Sequence, residues 1–145
     1  MKLTIENIPE GTEPEIIIRC NEPDDSLQQL ICQIRSNTQK LVGVYDSQIH
    51  LIAAMDVFYV EAVDNRVFIY CREKVYESKM KLYQIEEEYE NSDFFRASKS
   101  TILNLSKISS LSPAFSGRFE ALLQNGEKVI ISRQYVPVLK KKLGV

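Results

Sequence analysis

Arg96, Ser98, Lys99 and Ser100 fall within five residues, directly behind the pair Phe94-Phe95, and Ser132, Arg133 and Gln134 follow one another further on. Both groups are rich in hydrogen-bond donors. Serine hydroxyls and a lysine ammonium suit phosphate oxygens, the groups by which proteins grip a nucleic-acid backbone. An arginine fork fits two acceptors on a guanine edge, and a glutamine amide fits adenine. Arg118 and Lys128 stand on either side of the stretch "QNGE". Lys140, Lys141 and Lys142 near the end of the chain add sequence-independent charge.

Bond-breaking chemistry finds no such concentration. His50 is the one histidine, set in "QIHLIA" as a strand surface residue, so neither a histidine metal cluster nor a triad with a second histidine can be built. There is no GxGxxG, P-loop or CxxC pattern, and five glycines leave little for a phosphate cradle. Glu86, Glu87, Glu88 and Glu90 point around a helix instead of converging. The chain is therefore expected to be no enzyme and to use no metal, no cofactor and no small-molecule substrate. Cys20, Cys32 and Cys71 lie far apart among apolar neighbours and read as buried thiols in a reducing cytoplasm.

Charge is distributed unevenly. Residues 1–93 hold 9 Lys/Arg against 18 Asp/Glu, a net −9, while residues 94–145 hold 9 against 2, a net +7. The overall −2 averages away a basic end. The field at a surface follows local charge, because screening cuts interactions beyond about 8 Å at physiological salt. A chain of 145 residues suits one domain with a real core. No apolar run approaches the roughly 18–20 residues of a membrane span. The first residues carry acids where a signal peptide would be apolar, so a cytoplasmic protein is expected, with no membrane partner.

The donors must be positioned by strands. "KLTIE" alternates as a half-buried strand, and the β-branched "EIIIRC" reads as a buried one. Leu27, Leu30, Ile31 and Ile34 then fall at helical spacing behind Asp24 and Asp25. From residue 40 short strand candidates follow: "KLVGVY", "QIHLIA", "VFYVEAV", "RVFIYC" and "KVYES". The turn formers "DS" and "DN" separate them. "SKMKLYQIEEEYENS" predicts a second helix with Met80, Tyr83 and Ile85 inward. "FFRAS", "TILNL", "SKISSL", "GRFEALL" and "KVIIS" predict more strands, the last two joined in a hairpin at Asn125-Gly126. A helix is expected to begin near Pro137. The sum is a mainly β fold with a few short helices.

These residues carry a resemblance. "FFRASKSTILNLSKI" followed by "GRFEALLQNGEKVIISRQYVPVLKKKL" is similar to the LytTR (LytR/AlgR-type) DNA-binding domain. The family pattern Phe-x-Arg-x-x-x-Ser-x-x-x-Asn-x-x-x-Ile falls on Phe95-Arg96, with a compressed spacing, and on Ser100, Asn104 and Ile108. Its Gly-Arg strand falls on Gly117-Arg118, its Asn-Gly-Glu hairpin on Asn125-Gly126-Glu127, and its Ser-Arg on Ser132-Arg133. "MDVFYVEAVDNRVFIYC" resembles the family's first strand pair and "YESKMKLYQIEEEY" its internal helix.

The resemblance implies an elongated, multi-sheet antiparallel β fold over residues 40–145, preceded by a small β/α extension, residues 1–39. It implies a bacterial, response-regulator-like protein that binds double-stranded DNA sequence-specifically through loops and strand ends and regulates transcription. Arg133, Lys99 and Asn65 or Arg66 would face bases. Ser100, Arg118, Ser132 and Gln134 would hold phosphates, joined by Arg96, Ser98 and Lys128 from the donor reading above. Where many members have a His-Arg pair, this chain has Ser98-Lys99, so a different target is expected. The segment before the match is too short for the receiver domain many members carry, which points to a stand-alone member. The extension either completes the core or pairs with a second copy, giving a homodimer. An interaction module that sequesters another regulator is the alternative; such a module has no need of the +7 segment.

Overall fold

The structure is a computed structural model that describes residues 1–38, 40–90 and 92–145. Helix α1 (Asp25–Thr38) is followed by β1 (Lys40–Tyr45), β2 (Gln48–Ala53), β3 (Val57–Val63), β4 (Arg66–Cys71) and β5 (Val75–Ser78). Helix α2 (Leu82–Glu88), then β6 (Phe94–Arg96), β7 (Thr101–Asn104), β8 (Ile108–Pro113), β9 (Phe119–Leu123), β10 (Lys128–Ile131) and helix α3 (Val136–Leu143) complete it. Two antiparallel sheets result, one of order β2-β1-β5-β4-β3-β7-β6 and one of order β10-β9-β8.

Local chemistry sets the hairpins. Asp46 and Ser47 between β1 and β2, and Asp64 and Asn65 between β3 and β4, all take positive φ. Two consecutive left-handed residues match the right-handed twist of the strands they join. The expected Asn125-Gly126 hairpin joins β9 to β10, with Gly126 at φ 90° and the Asn125 Oδ1 accepting from the Glu127 N–H. Gly43 marks a close approach: a Cβ there would lie 2.6 Å from the Cβ of Tyr76.

The large sheet is covered differently on its two faces. On one, Leu41, Ile52, Val60, Val67, Ile69 and Ile102 pack with Leu82, Ile85 and Tyr89. On the other, Leu103 and Phe95 pack with Ala121, Leu123 and Ile131 of the small sheet and with Val136 and Leu139 of α3. The small sheet covers the β3-β7-β6 half of that face. Over the β2-β1 half, Val42, Ile49 and Leu51 remain exposed. Tyr59 ties the layers together: it stacks on Tyr70 at 4.4 Å and donates to the Glu127 carboxylate at 2.8 Å. Burial, then that carboxylate, pushes its phenol above the usual range. Asn104, wholly buried, donates to the Val57 carbonyl at 2.7 Å and accepts from the Ser106 N–H and hydroxyl.

Four expectations change. Residues 2–6 and 15–20 form no strand, because no strand lies beside them to complete their hydrogen bonds; residues 1–26 are exposed throughout. The extension is thus a helix with a long arm, and Cys20 is exposed while Cys32 and Cys71 are half-buried. Burial, then Asp56, pushes the Cys71 thiol up to about 11. Helix α2 begins later than expected, since Ser78 and Gln84 side chains accept from the Met80 and Lys81 N–H groups, and Tyr83 points outward in place of Leu82. His50 is no free surface residue: it packs between Tyr45 and Tyr76.

The helix at Leu27 stands. Asp24 caps it, its carboxylate accepting from the Leu27 N–H at 2.8 Å. Such a cap satisfies a donor that the first turn leaves without a partner. The helix lies against β2 and the turn at 54–56, with Leu27, Ile31 and Ile34 half-buried and Leu30 outside. Pro137 sits in the first turn of α3, and Gly144 at φ 73° ends it.

Candidate nucleic-acid interface

The loop between β6 and β7 is built before it is charged. Ala97 and Ser98 N–H groups donate to the Thr101 carbonyl, and the Ser100 N–H donates to the Ser98 hydroxyl. From below, the Arg96 guanidinium donates through Nε to the Ser98 carbonyl at 2.8 Å and through Nη2 to the Lys99 carbonyl at 2.6 Å. Its Nη1 meets Glu86 at 3.0 Å. The Ala62 N–H donates to the Ser100 carbonyl, fixing the loop to β3. The result is a short, hydrogen-bonded turn that presents Lys99 and Ser100 to solvent.

A second segment is tied to it. The Ser132 N–H donates to the Ala97 carbonyl at 2.8 Å, and the single turn Arg133–Tyr135 leads into α3. Buried Val136 and Leu139 anchor that helix, so Arg133 and Gln134 are held at its entrance, exposed. Ser98, Lys99, Ser100, Ser132, Arg133 and Gln134 line one shallow concavity of about 370 Å³. Two cations, three hydroxyls and an amide converge there, and no carboxylate lines it.

A third segment abuts the second. Before Arg118 the chain turns sharply, with Ser116 at φ 61° and Gly117 at φ 77°. A Cβ on Gly117 would come within 3.0 Å of Arg133 Cδ. Glycine here lets the turn that carries Arg118 close onto Arg133. Phe115, at the tip of this turn, is 91% exposed. No reading of the sequence singled it out; the signal available was an aromatic residue amid "SPAFSG" turn formers.

Not every anticipated residue joins the cluster. Arg96, expected on the DNA backbone, has its guanidinium engaged inside the protein, and Glu86 of the acidic run lies against it. Asn65 is exposed at the turn after β3, the same end of the strand to which Ser100 is bonded. Arg66 beside it is held by Glu77 in a two-pronged pair, both bonds at 2.8 Å, and lies over the Phe68 ring. That pairing raises the Arg66 pKa and lowers that of Glu77. Lys128 lies at the far end of β10 from Ser132, 3.7 Å from Glu120. Lys142 donates to the Ser92 carbonyl, while Lys140 lies over Phe119. Among the described residues, no helix is long and apolar enough to cross a membrane.

The chain is similar to known proteins. The profile of the LytTr DNA-binding domain matches residues 47–144. The chain is 33% identical over 100 residues to the sensory transduction protein LytT of Enterococcus faecalis, covering 69% of this chain and 41% of that relative. It is 28% identical over 147 residues to an uncharacterized HTH-type transcriptional regulator of Staphylococcus aureus, covering 100% of this chain and 99% of the relative. A LytTr DNA-binding domain from Bacillus cereus superposes with a TM-score of 0.70 at 24% identity, over 74% of this chain and 99% of that one. With a family match spanning most of its length and a fold to correspond, the chain belongs to the LytTr DNA-binding domain family and is a DNA-binding transcriptional regulator.

Proposed function

We propose that the regulator reads duplex DNA sequence-specifically with the loop-built face described above, and not with a recognition helix. The observation that carries this reading is the convergence of Lys99, Arg133, Gln134 and three serines in one concavity with no carboxylate. Arg133, Lys99 and Asn65 face base edges, with Arg66 available once released from Glu77. Ser98, Ser100, Arg118, Ser132 and Gln134 hold phosphates and fix register. Lys128 and the lysines of α3 add charge at the periphery. Arg96 acts as a positioning residue, shaping the loop that carries Lys99. The chain works in the cytoplasm, where its DNA is, and a homodimer would engage two half-sites. An interaction module would leave this basic face without a use, and no observation favours that alternative.

Selection of bound fragments from a random duplex pool, followed by titrations on the selected and scrambled sites, tests the reading. The selected site should bind at least about 10³-fold more tightly, and both affinities should fall steeply with salt. Equal, salt-insensitive affinities would overturn it.

A further inference from the structure

Two parts of the molecule lack a counterpart. The first is the arm, residues 1–24, which lies outside both sheets with one turn at Glu10–Gly11. Its run Ile16-Ile17-Ile18 is 69%, 63% and 37% exposed. Three successive β-branched side chains would be apolar on both faces of a strand, the pattern of a strand meant for burial inside a sheet. The second is the outer edge of β2, the terminal strand of the large sheet. Among the described residues no strand pairs with it. Beside it Ile49 is 75% and Leu51 67% exposed, next to exposed Val42 on β1. Helix α1 lies against β2, yet Ile49 and Leu51 stay exposed, and an edge without a paired strand that is flanked by apolar side chains is a template for another strand.

We propose that residues 15–20 of one copy add as a strand to the β2 edge of a second copy, reciprocally, forming a dimer by exchange of arms. Charge narrows the occupant. Residues 1–24 hold 2 Lys/Arg and 6 Asp/Glu, so the arm is repelled by DNA and by anionic membranes. The acceptor hairpin carries Lys40 at one end; at the other, where Asp46 sits in the turn, Lys74 from the segment before β5 lies over the Tyr45 ring, and the two lysines are cations suited to Glu13, Glu15 and Glu22. The same chain thus supplies both the strand and the edge, and mutual exchange closes with two-fold symmetry. The strand, residues 15–20, and the hairpin, residues 40–53, together supply 20 residues per side, within the roughly 20–30 of a stable interface. The geometry also spares the function. β2 and β6 lie at opposite edges of the seven-stranded sheet. At the usual strand spacing they stand roughly 29 Å apart, so the loop after β6 stays open to DNA.

The test uses the full chain without DNA, so its outcome is independent of how DNA is read. Sedimentation across a concentration series should show twice the 16.7 kDa chain mass. Ile17→Pro removes a strand hydrogen bond from an exposed arm. It and Leu51→Lys should each return the protein to 16.7 kDa as a folded chain that still unfolds cooperatively in urea. In a background with Cys20, Cys32 and Cys71 replaced by serine, Ile16→Cys, Ile17→Cys or Ile18→Cys chains are each mixed with Leu51→Cys chains. At least one mixture should form a disulfide-linked heterodimer. A chain that stays monomeric at all concentrations, or the absence of a disulfide-linked heterodimer from all three mixtures, would overturn the proposal.

Discussion

Ile16, Ile17 and Ile18 of the arm and Ile69, Ile102 and Ile131 of the sheets are the same side chain in similarly strand-prone surroundings. The first three are exposed and outside any sheet; the last three are at most 1% exposed. Nothing in the local pattern separates them. What differs is the neighbour: Ile69 and Ile102 both face Val60 across the sheet, and Ile131 faces Phe119. A strand is a property of a pair, because its hydrogen bonds and half its packing come from elsewhere in sequence. The arginines repeat the lesson. Arg96 is turned inward by two carbonyls and a carboxylate, while Arg133, behind a buried helix anchor, is left facing solvent.

The largest effect should fall on the isoleucines. Ile102→Ala opens a cavity in the first core. It should cost about 2–5 kcal/mol in urea unfolding. Ile17→Ala in the monomeric protein should change stability by less than about 0.5 kcal/mol. A monomer as sensitive at Ile17 as at Ile102 would show that the arm packs on its own domain, and the contrast would collapse.

The arginines come next. Arg133→Ala should weaken binding to the selected DNA site by about 1–3 kcal/mol and hardly alter binding to a scrambled duplex, since a lost two-pronged base contact removes discrimination. Its folding stability should be unchanged. Arg96→Ala should do the reverse in part: it removes charged hydrogen bonds that hold two loop carbonyls, costing about 1–3 kcal/mol of stability, and binding should recover little in Arg96→Lys, which cannot fork. If Arg96→Ala leaves stability intact and weakens DNA binding alone, the inward assignment is wrong. Arg118→Ala should weaken selected and scrambled duplexes about equally and flatten the salt dependence by about one counterion.

Much of the domain was legible in the sequence because its signals are local. The Asn125-Gly126 hairpin, the "DS" and "DN" turns, the strands from Lys40 onward and the helix opening at Pro137 all follow from turn chemistry and alternation within a few residues. The cluster of Ser98, Lys99 and Ser100 with Ser132, Arg133 and Gln134 was legible in its residue types and order. What brings it together, the hydrogen bond from Ser132 to Ala97, joins distant parts of the sequence, and no local pattern encodes it. The arm was misread for the same reason: its Ile run has every local mark of a strand and no partner. The inward turn of Arg96 was hidden because Glu86 reaches it from another element. Tyr83 was misplaced because the start of α2 is set by side-chain caps at Ser78 and Gln84, which shift the helix relative to its apolar spacing.

The smallest effect concerns Arg66, which stands between the inward and the outward arginines. Glu77 holds both prongs of its guanidinium, yet the pair is at the surface, beside the exposed Asn65 turn. Water and salt weaken such a pair, so releasing Arg66 toward DNA asks little of the fold. Glu77→Gln keeps the shape of the partner and removes its charge. If Arg66 turns to a base edge in the complex, this substitution should raise affinity for the selected site a few-fold, and the gain should vanish in the Glu77→Gln, Arg66→Ala double variant. Because Glu77 is also a negative charge near the proposed DNA-facing end of the sheet, its removal alone would strengthen binding to any duplex. The scrambled site separates the two causes: a gain confined to the selected site assigns Arg66 to base reading, and an equal gain on both, persisting in the double variant, assigns it to the fold.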